Sequence, residues 1–369
     1  MIGFFAANVY THTYQKTQGL IHQEITSKNV NSSNRELTAA GNSTLGFSSI
    51  QFINLKNRFD RVDAVTLQGY LTGLDIIEVP GVESDQIHEM GMPPNHRPVD
   101  ILLKEKACFR AHANIWSQML RDKSPAVLIL ESDAAWDINV REIMTHLNPH
   151  FTTLLRQLNS TPIHNAGWDA RNSRAATSHD LLQPNPDDPW HSSHWDVLSL
   201  GQCLESPVNH ESSVTYSDEH VAAGKEYFGK IMGRERVVRL SGGFVCLTAY
   251  VVSQTGAAKL LLRHAVDLDA PVDLIIRGMI GSGDLVTYSV MPTVFAQWEY
   301  LNNIGMKERG SNSDIHGVKM DNEIDLTGWE DVKRTGSVWH DKEGHPDIAF
   351  RNMALEKAWS LILPNAKLD

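Results

Sequence analysis

Glu131 and Asp133, in Leu128-Ile129-Leu130-Glu131-Ser132-Asp133, are the two side chains of this sequence best placed to do chemistry. Spaced by two, they leave the same side of an extended chain. Hard carboxylate ligands converging there suit Mg²⁺ or Mn²⁺ holding a substrate diphosphate. Without a cation, the same acids simply end a strand and cap the next helix. Arg58 and Arg61 form a second pair, three residues apart at a helix start, where they share a face and can donate to phosphate. As surface arginines they would only solvate that helix. Asp273 sits in the first turn of a helix that Pro271 begins, where dipole capping is its plain role. His112 lies inside an apolar helix, a setting in which histidine more often packs than catalyses. His191 and His194 lie in a Pro/Ser-rich loop, a poor frame for metal ligands.

The elements around these residues spell an α/β protein. After the Ser124-Pro125 turn signal, an uninterrupted apolar run reads as a strand buried on both faces, and acids at its exit sit where open α/β sheets bind ligands. Ser49 to Leu55 reads as a first strand, Arg61 to about Thr72 as a helix and Leu74 to Val79 as a second strand, together a β-α-β unit. A Gly-, Pro- and His-rich loop over 80–100 precedes a helix from Ala107 to Arg121, and another helix runs from Val140 towards Leu158. Residues 159–194 read as an insertion or surface loop, Trp195 to Gly201 as a strand and 202–232 as irregular. Then come Arg236 to Leu240, a strand or strand pair over Phe244 to Val252, and a helix capped by Ser253. Ala270 to Arg277 starts a further helix, Leu285 to Val290 is a strand, and Met291 to Trp298 is its exit. The expected layout is a polar N-terminal arm (1–46), one domain (47–300) and a polar C-terminal extension (301–369) with a late helix near Ala354 to Leu363.

The totals set bounds. A chain of 369 residues, 41% hydrophobic and 21% charged, can bury a large core. The net charge of −11, from 33 basic and 44 acidic residues, argues against binding nucleic acid through its phosphate backbone. The three cysteines match no zinc or redox spacing, leaving open one disulfide with a free thiol or three buried thiols. No apolar run reaches membrane-spanning length, and Met1 to Asn8 is short and lacks a basic flank, so the chain reads as soluble, with no signal or anchor seen.

Six blocks in order resemble glycosyltransferase family 25, the lipopolysaccharide and collagen β-galactosyltransferase-like family, and especially its fungal members. They are Phe52-Ile53-Asn54-Leu55 with Arg58, Asp60 and Arg61; Arg110-Ala111-His112; Leu128 to Asp133; Trp195 to Gly201; Leu247 to Ser253 with Gly256-Ala257; and Pro271-Val272-Asp273. The resemblance implies a GT-A-like single Rossmann-type domain, with a mostly parallel central sheet and helices on both faces. It implies metal-assisted transfer of a hexose, galactose first, from a UDP-sugar to a hydroxyl of a glycan or glycoprotein, with inversion. It assigns Mn²⁺ (or Mg²⁺) to Asp133, Glu131 and Gln297. Asn54, Leu55, Arg58, Arg61, His112 and Glu131 fall on the nucleotide side, and Asp273 or, second, Asp196 becomes the base. Two departures stand out: Ser132 replaces the family's middle acid, and Gln297 stands where fungal members carry histidine. They motivate an alternative, a catalytically degenerate sugar-nucleotide or glycan-binding protein. A metal-dependent hydrolase using His191, His194 and Asp196 is a third reading. The family works in the secretory pathway or at bacterial envelopes; the missing anchor also admits a cytosolic protein.

Overall fold

The computed structural model describes residues 37–96, 101–163, 182–301, 314–315, 328–341 and 352–366. The chain divides into two units, Met1–Leu37 and Thr38–Asp369, and the described fold belongs to the second.

Strand β1 (Ser49–Asn54), helix α1 (Phe59–Thr72) and strand β2 (Ile76–Pro80) form the expected parallel β-α-β unit. Helix α1 stops on Gly73 in the left-handed conformation (φ 67°), which glycine adopts without steric cost. Helix α2 (Leu103–Asp122) leads into β3 (Ala126–Glu131), which pairs parallel with the other side of β1 and sets Glu131 beside Ile53. The chain then turns at Ser132-Asp133 into a short strand, β4 (Ala134–Trp136), followed by α3 (Val140–Gln157). Next come β5 (Val197–Gly201), β6 (Ser213–Ser217), β7 (Glu235–Leu240) and β8 (Ala249–Ser253). Helices α4 (Gln254–Val266) and α5 (Val272–Ser282) precede β9 (Thr287–Met291) and β10 (Phe295–Tyr300). The described remainder holds α6 (Gly328–Thr335), β11 (Trp339–Asp341) and α7 (Ala354–Ile362).

Eight strands make one sheet in the order β2-β1-β3-β8-β5-β9-β7-β6. The expected parallel pairing holds at β2/β1, β1/β3 and β5/β9, but β8 inserts antiparallel between β3 and β5, and β7 and β6 close the far edge antiparallel. The sheet is therefore mixed. Alternate residues feed the two faces. Leu128 and Leu130 pack with α3 in one cluster, while Val127 and Ile129 pack with α2, α4 and α5 in the other. Helix α3 buries Val140, Ile143, Met144, Leu147, Phe151, Leu154 and Leu155, a stripe of helical period. Burial is worth roughly 1.5–3 kcal/mol per large apolar side chain, against about 1 kcal/mol for an N-cap. Packing therefore holds α3, whose N-cap residue Asn139 makes no side-chain cap bond.

Several expectations shift. Packed structure starts at Thr38 rather than at 47: Ala40 and Leu45 are fully buried, and Trp190 donates to the Leu45 carbonyl at 2.8 Å. Of the 159–194 stretch, 159–163 and 182–194 are described; 183–187 are exposed as expected, but Trp190 lies wholly inside the core. The irregular 202–232 stretch contains β6, the sheet's last strand. The strand exit over 291–298 contains most of β10, which joins β4 and β11 in a second, three-stranded sheet. The late helix is α7, and it buries Leu355 in a cluster with Ala64, Ala135 and Trp298.

Candidate active site

The carboxyl ends of β2, β1 and β3 open into a cleft of about 390 Å³, walled on its other side by α2. This is where parallel strands of an open α/β sheet present ligand groups. Leu55, Arg58 and Arg61 line it from the β1–α1 junction, Glu131, Ser132 and Asp133 from the end of β3, and Cys108 and His112 from α2. Gln297 of β10 and Asp314 complete the wall.

The two acids reach the cleft differently from the i, i+2 reading. Glu131 is the last residue of β3, whereas Ser132 and Asp133 lie in the turn after it. The chain no longer alternates there, so a turn, not strand geometry, brings Asp133 into the cleft. Arg61 braces that turn, donating through Nη1 to Ser132 Oγ at 3.0 Å and pairing through Nη2 with Asp133 Oδ2 at 3.2 Å. Ser132 thus answers Arg61 with a neutral hydroxyl where the family pattern has an acid. Asp133 Oδ1 is buried and has no hydrogen-bond partner. An orphaned carboxylate oxygen on a cleft-lining residue, beside a second carboxyl group, is a donor set that fits a hard divalent cation.

Glu131 is pushed up to about 8, first by burial and then by the charges of Asp133 and Asp273, against the opposing pull of Arg61 and of the Gln297 hydrogen bond. Gln297 Nε2 donates to Glu131 Oε2 at 3.4 Å, so Gln297 offers Glu131 an amide donor. Arg58 donates to Asp60 and also reaches Asp314 at 2.6 Å, while Arg61 reaches Asp314 at 2.9 Å. Burial opposes ionisation of Arg58, but its hydrogen bonds and ion pairs with Asp60 and Asp314 outweigh that and raise it. Both arginines line the cleft, and both are ion-paired.

The remaining candidates divide. Asn54 is buried behind the cleft, and its Nδ2 donates to the Leu55 carbonyl at 3.0 Å and to Glu78 at 3.2 Å. His112 is buried with its Nδ1 2.9 Å from the Tyr250 hydroxyl, and burial followed by the His264 charge lowers it to about 3. Asp273 does not line the cleft, yet its charge acts on Glu131 and Cys108. Its carboxylate caps α5, accepting from Leu274 N at 2.9 Å and from Cys246 N at 3.3 Å. Asp196 is elsewhere: fully buried, it pairs with Lys259 at 2.6 Å and accepts from Val286 N at 2.8 Å. Burial raises it, and the Lys259 contact only partly offsets this. That ion pair fixes the start of β5 to α4, and Asp196 does not line the cleft. His191 and His194 pack near Trp190 and Trp195, and His194 Nδ1 lies 3.3 Å from the Ser160 carbonyl. Asp314, Cys108 and Tyr250 were not singled out from the sequence. Their link to the cleft is tertiary, and no local spacing announces it.

Residues 47–185 match the family model described as glycosyltransferase family 25 (LPS biosynthesis protein). Over these residues the chain is similar to glycosyltransferase family 25. The family 25 match holds both arginines, His112, Glu131 and Asp133, while Asp196, Asp273 and Gln297 lie beyond it. A glycosyltransferase 25 family member of Anopheles gambiae is 32% identical over 106 residues, covering 25% of this chain and 18% of that protein. One of Drosophila melanogaster is 26% identical over 244 residues, covering 63% of this chain and 30% of that protein. The chain thus spans less than a third of either curated relative. The solved structure of A197 from STIV covers 74% of this chain and 95% of its own at 9% identity, but its TM-score of 0.29 carries no argument. Among the described residues, no helix is long and apolar enough to cross a membrane.

Proposed function

We propose that this chain transfers a hexose, galactose first, from a UDP-sugar to a hydroxyl of a glycan or glycoprotein, with the help of a divalent cation and with inversion, on a GT-A-type fold. The observation that carries the reading is Asp133 Oδ1, unpartnered beside Glu131 in a cleft that Arg58 and Arg61 also line. Asp133 and Glu131 would hold the ion, Mn²⁺ or Mg²⁺, which supplies charge neutralisation as UDP leaves. Arg61, already fixed by Ser132 and Asp133, is preorganised to donate to the diphosphate, and Arg58 donates beside it. The cleft volume is in the usual range for a small-molecule site, roughly 300–1,000 Å³. Asp273 takes the base's role in preference to Asp196, since its charge reaches the cleft acids whereas Asp196 is neutralised by Lys259.

The test is UDP release from a panel of UDP-sugars, with and without Mn²⁺. Turnover of one donor should require the cation and fall at least 100-fold in Asp133→Ala, in line with the roughly 10²–10³ lost with one preorganised transition-state contact. Turnover indifferent to both would refute the reading. UDP binding without turnover would favour a sugar-nucleotide-binding protein, a reading supported by the neutral Ser132 and by the Gln297 amide on Glu131.

A further inference from the structure

Cys108 and His112 are four residues apart on α2, so their side chains leave one face of the helix, the face that walls the cleft. Glu131 approaches that face from the end of β3. One ligand atom from each of Cys108, His112 and Glu131 lies within 4.8 Å of the other two. We propose that this sulfur–nitrogen–oxygen triad binds a zinc-class divalent cation, at a site that differs in donor chemistry from the Asp133 site but shares Glu131 with it.

Donor chemistry sets the class of ion. Thiolate and imidazole favour Zn²⁺ or Co²⁺, whereas Mg²⁺ and Mn²⁺ prefer oxygen. Three protein ligands on two packed elements leave a fourth position for water or a cleft ligand, as in open zinc sites. The outer shell fits as well. The Tyr250 hydroxyl lies 2.9 Å from His112 Nδ1 and accepts from Trp116 Nε1 at 3.1 Å. That contact orients the imidazole. Burial first, and then the charges of Glu131, Asp273, Glu105 and Asp133, push the Cys108 thiol up. A dication relieves that crowding. A thiol and imidazole that merely packed α2 against the sheet would need no carboxylate converging on them. On binding, Cys108 gives up its thiol proton, and Glu131 any proton it carries, to solvent; no electron is transferred.

Sharing has a consequence that rests on the transferase reading, whereas binding does not. A cation held by Cys108 and His112 engages Glu131 and withdraws it from an oxygen-preferring ion at Asp133. Zinc therefore inhibits manganese-supported turnover.

The probe is Co²⁺ titrated into the metal-free full chain. The other two cysteines are joined in a disulfide, so any thiolate-to-cobalt charge-transfer band in the near ultraviolet belongs to Cys108. The band should saturate at one equivalent, be displaced by Zn²⁺ and vanish in Cys108→Ser. It should persist in Asp133→Asn with affinity within about twofold. Tyr250→Phe should keep the band and weaken zinc about 10-fold, the low end for losing an outer-shell partner. That variant serves if Cys108→Ser does not fold. No band at one equivalent, a band that survives Cys108→Ser, or one lost with Asp133→Asn would overturn the site. Zinc binding in a chain that turns over no UDP-sugar would sink the transferase reading and leave the site standing.

Discussion

Asp314 spans both arginines of the cleft wall, so an incoming diphosphate meets cations that already have a carboxylate. Its side chain is 29% exposed, and a partly exposed ion pair is worth about 1 kcal/mol at most. Removing that competing charge in Asp314→Asn should therefore tighten UDP about fivefold by titration calorimetry. Weaker binding would instead place Asp314 in the ligand's own shell. This contact was invisible in the sequence, because 253 positions separate Asp314 from Arg61 and no periodicity links them. Glu131, Asp133, Arg58 and Arg61 were legible for the opposite reason, since the acids lie at the end of the apolar run of β3 and the arginines at the start of the helix after β1. Even there, the sequence hid that Asp133 arrives through a turn.

At the scale of elements, the start of α4 sets two effects against each other. Ser253 Oγ accepts from Gly256 N at 3.1 Å, the cap expected from the sequence. Gly256 follows inside the helix, where alanine would ordinarily gain about 1 kcal/mol. A Cβ at 256, however, would overlap the backbone carbonyl of Asp196, which also accepts from Ser253 N. Backbone cannot swing aside as a side chain can, so the clash wins. Gly256→Ala should destabilise by about 2 kcal/mol net in denaturant unfolding; a neutral or stabilising result would refute the close approach. Strands with continuous apolar runs, β3 and β5, were read correctly. Strand β6 was not, because Ser213–Ser217 is an edge strand that buries only Tyr216, and one buried residue leaves no period to find.

Across the whole molecule, the Cys203–Cys246 disulfide closes a loop of 43 residues' separation that holds both β6 and β7. The sequence left this bond open, since cysteine spacing cannot say which side chains the fold brings to a Cα–Cα distance of 5.5 Å. In the chain-entropy account, closing such a loop contributes about 4 kcal/mol. Dithiothreitol should then lower Tm by several degrees with the cleft residues unaltered, and an unchanged Tm would remove the bond from the stability balance. The same bond carries a lesson about sample history. Cys246, one of its ends, donates its backbone N–H to Asp273 beside the cleft. Disulfides of this kind form in oxidising compartments and are kept reduced in the cytosol. Protein expressed in a reducing host would therefore carry three thiols rather than one, and one of the two freed, Cys246, is the residue whose backbone N–H meets Asp273.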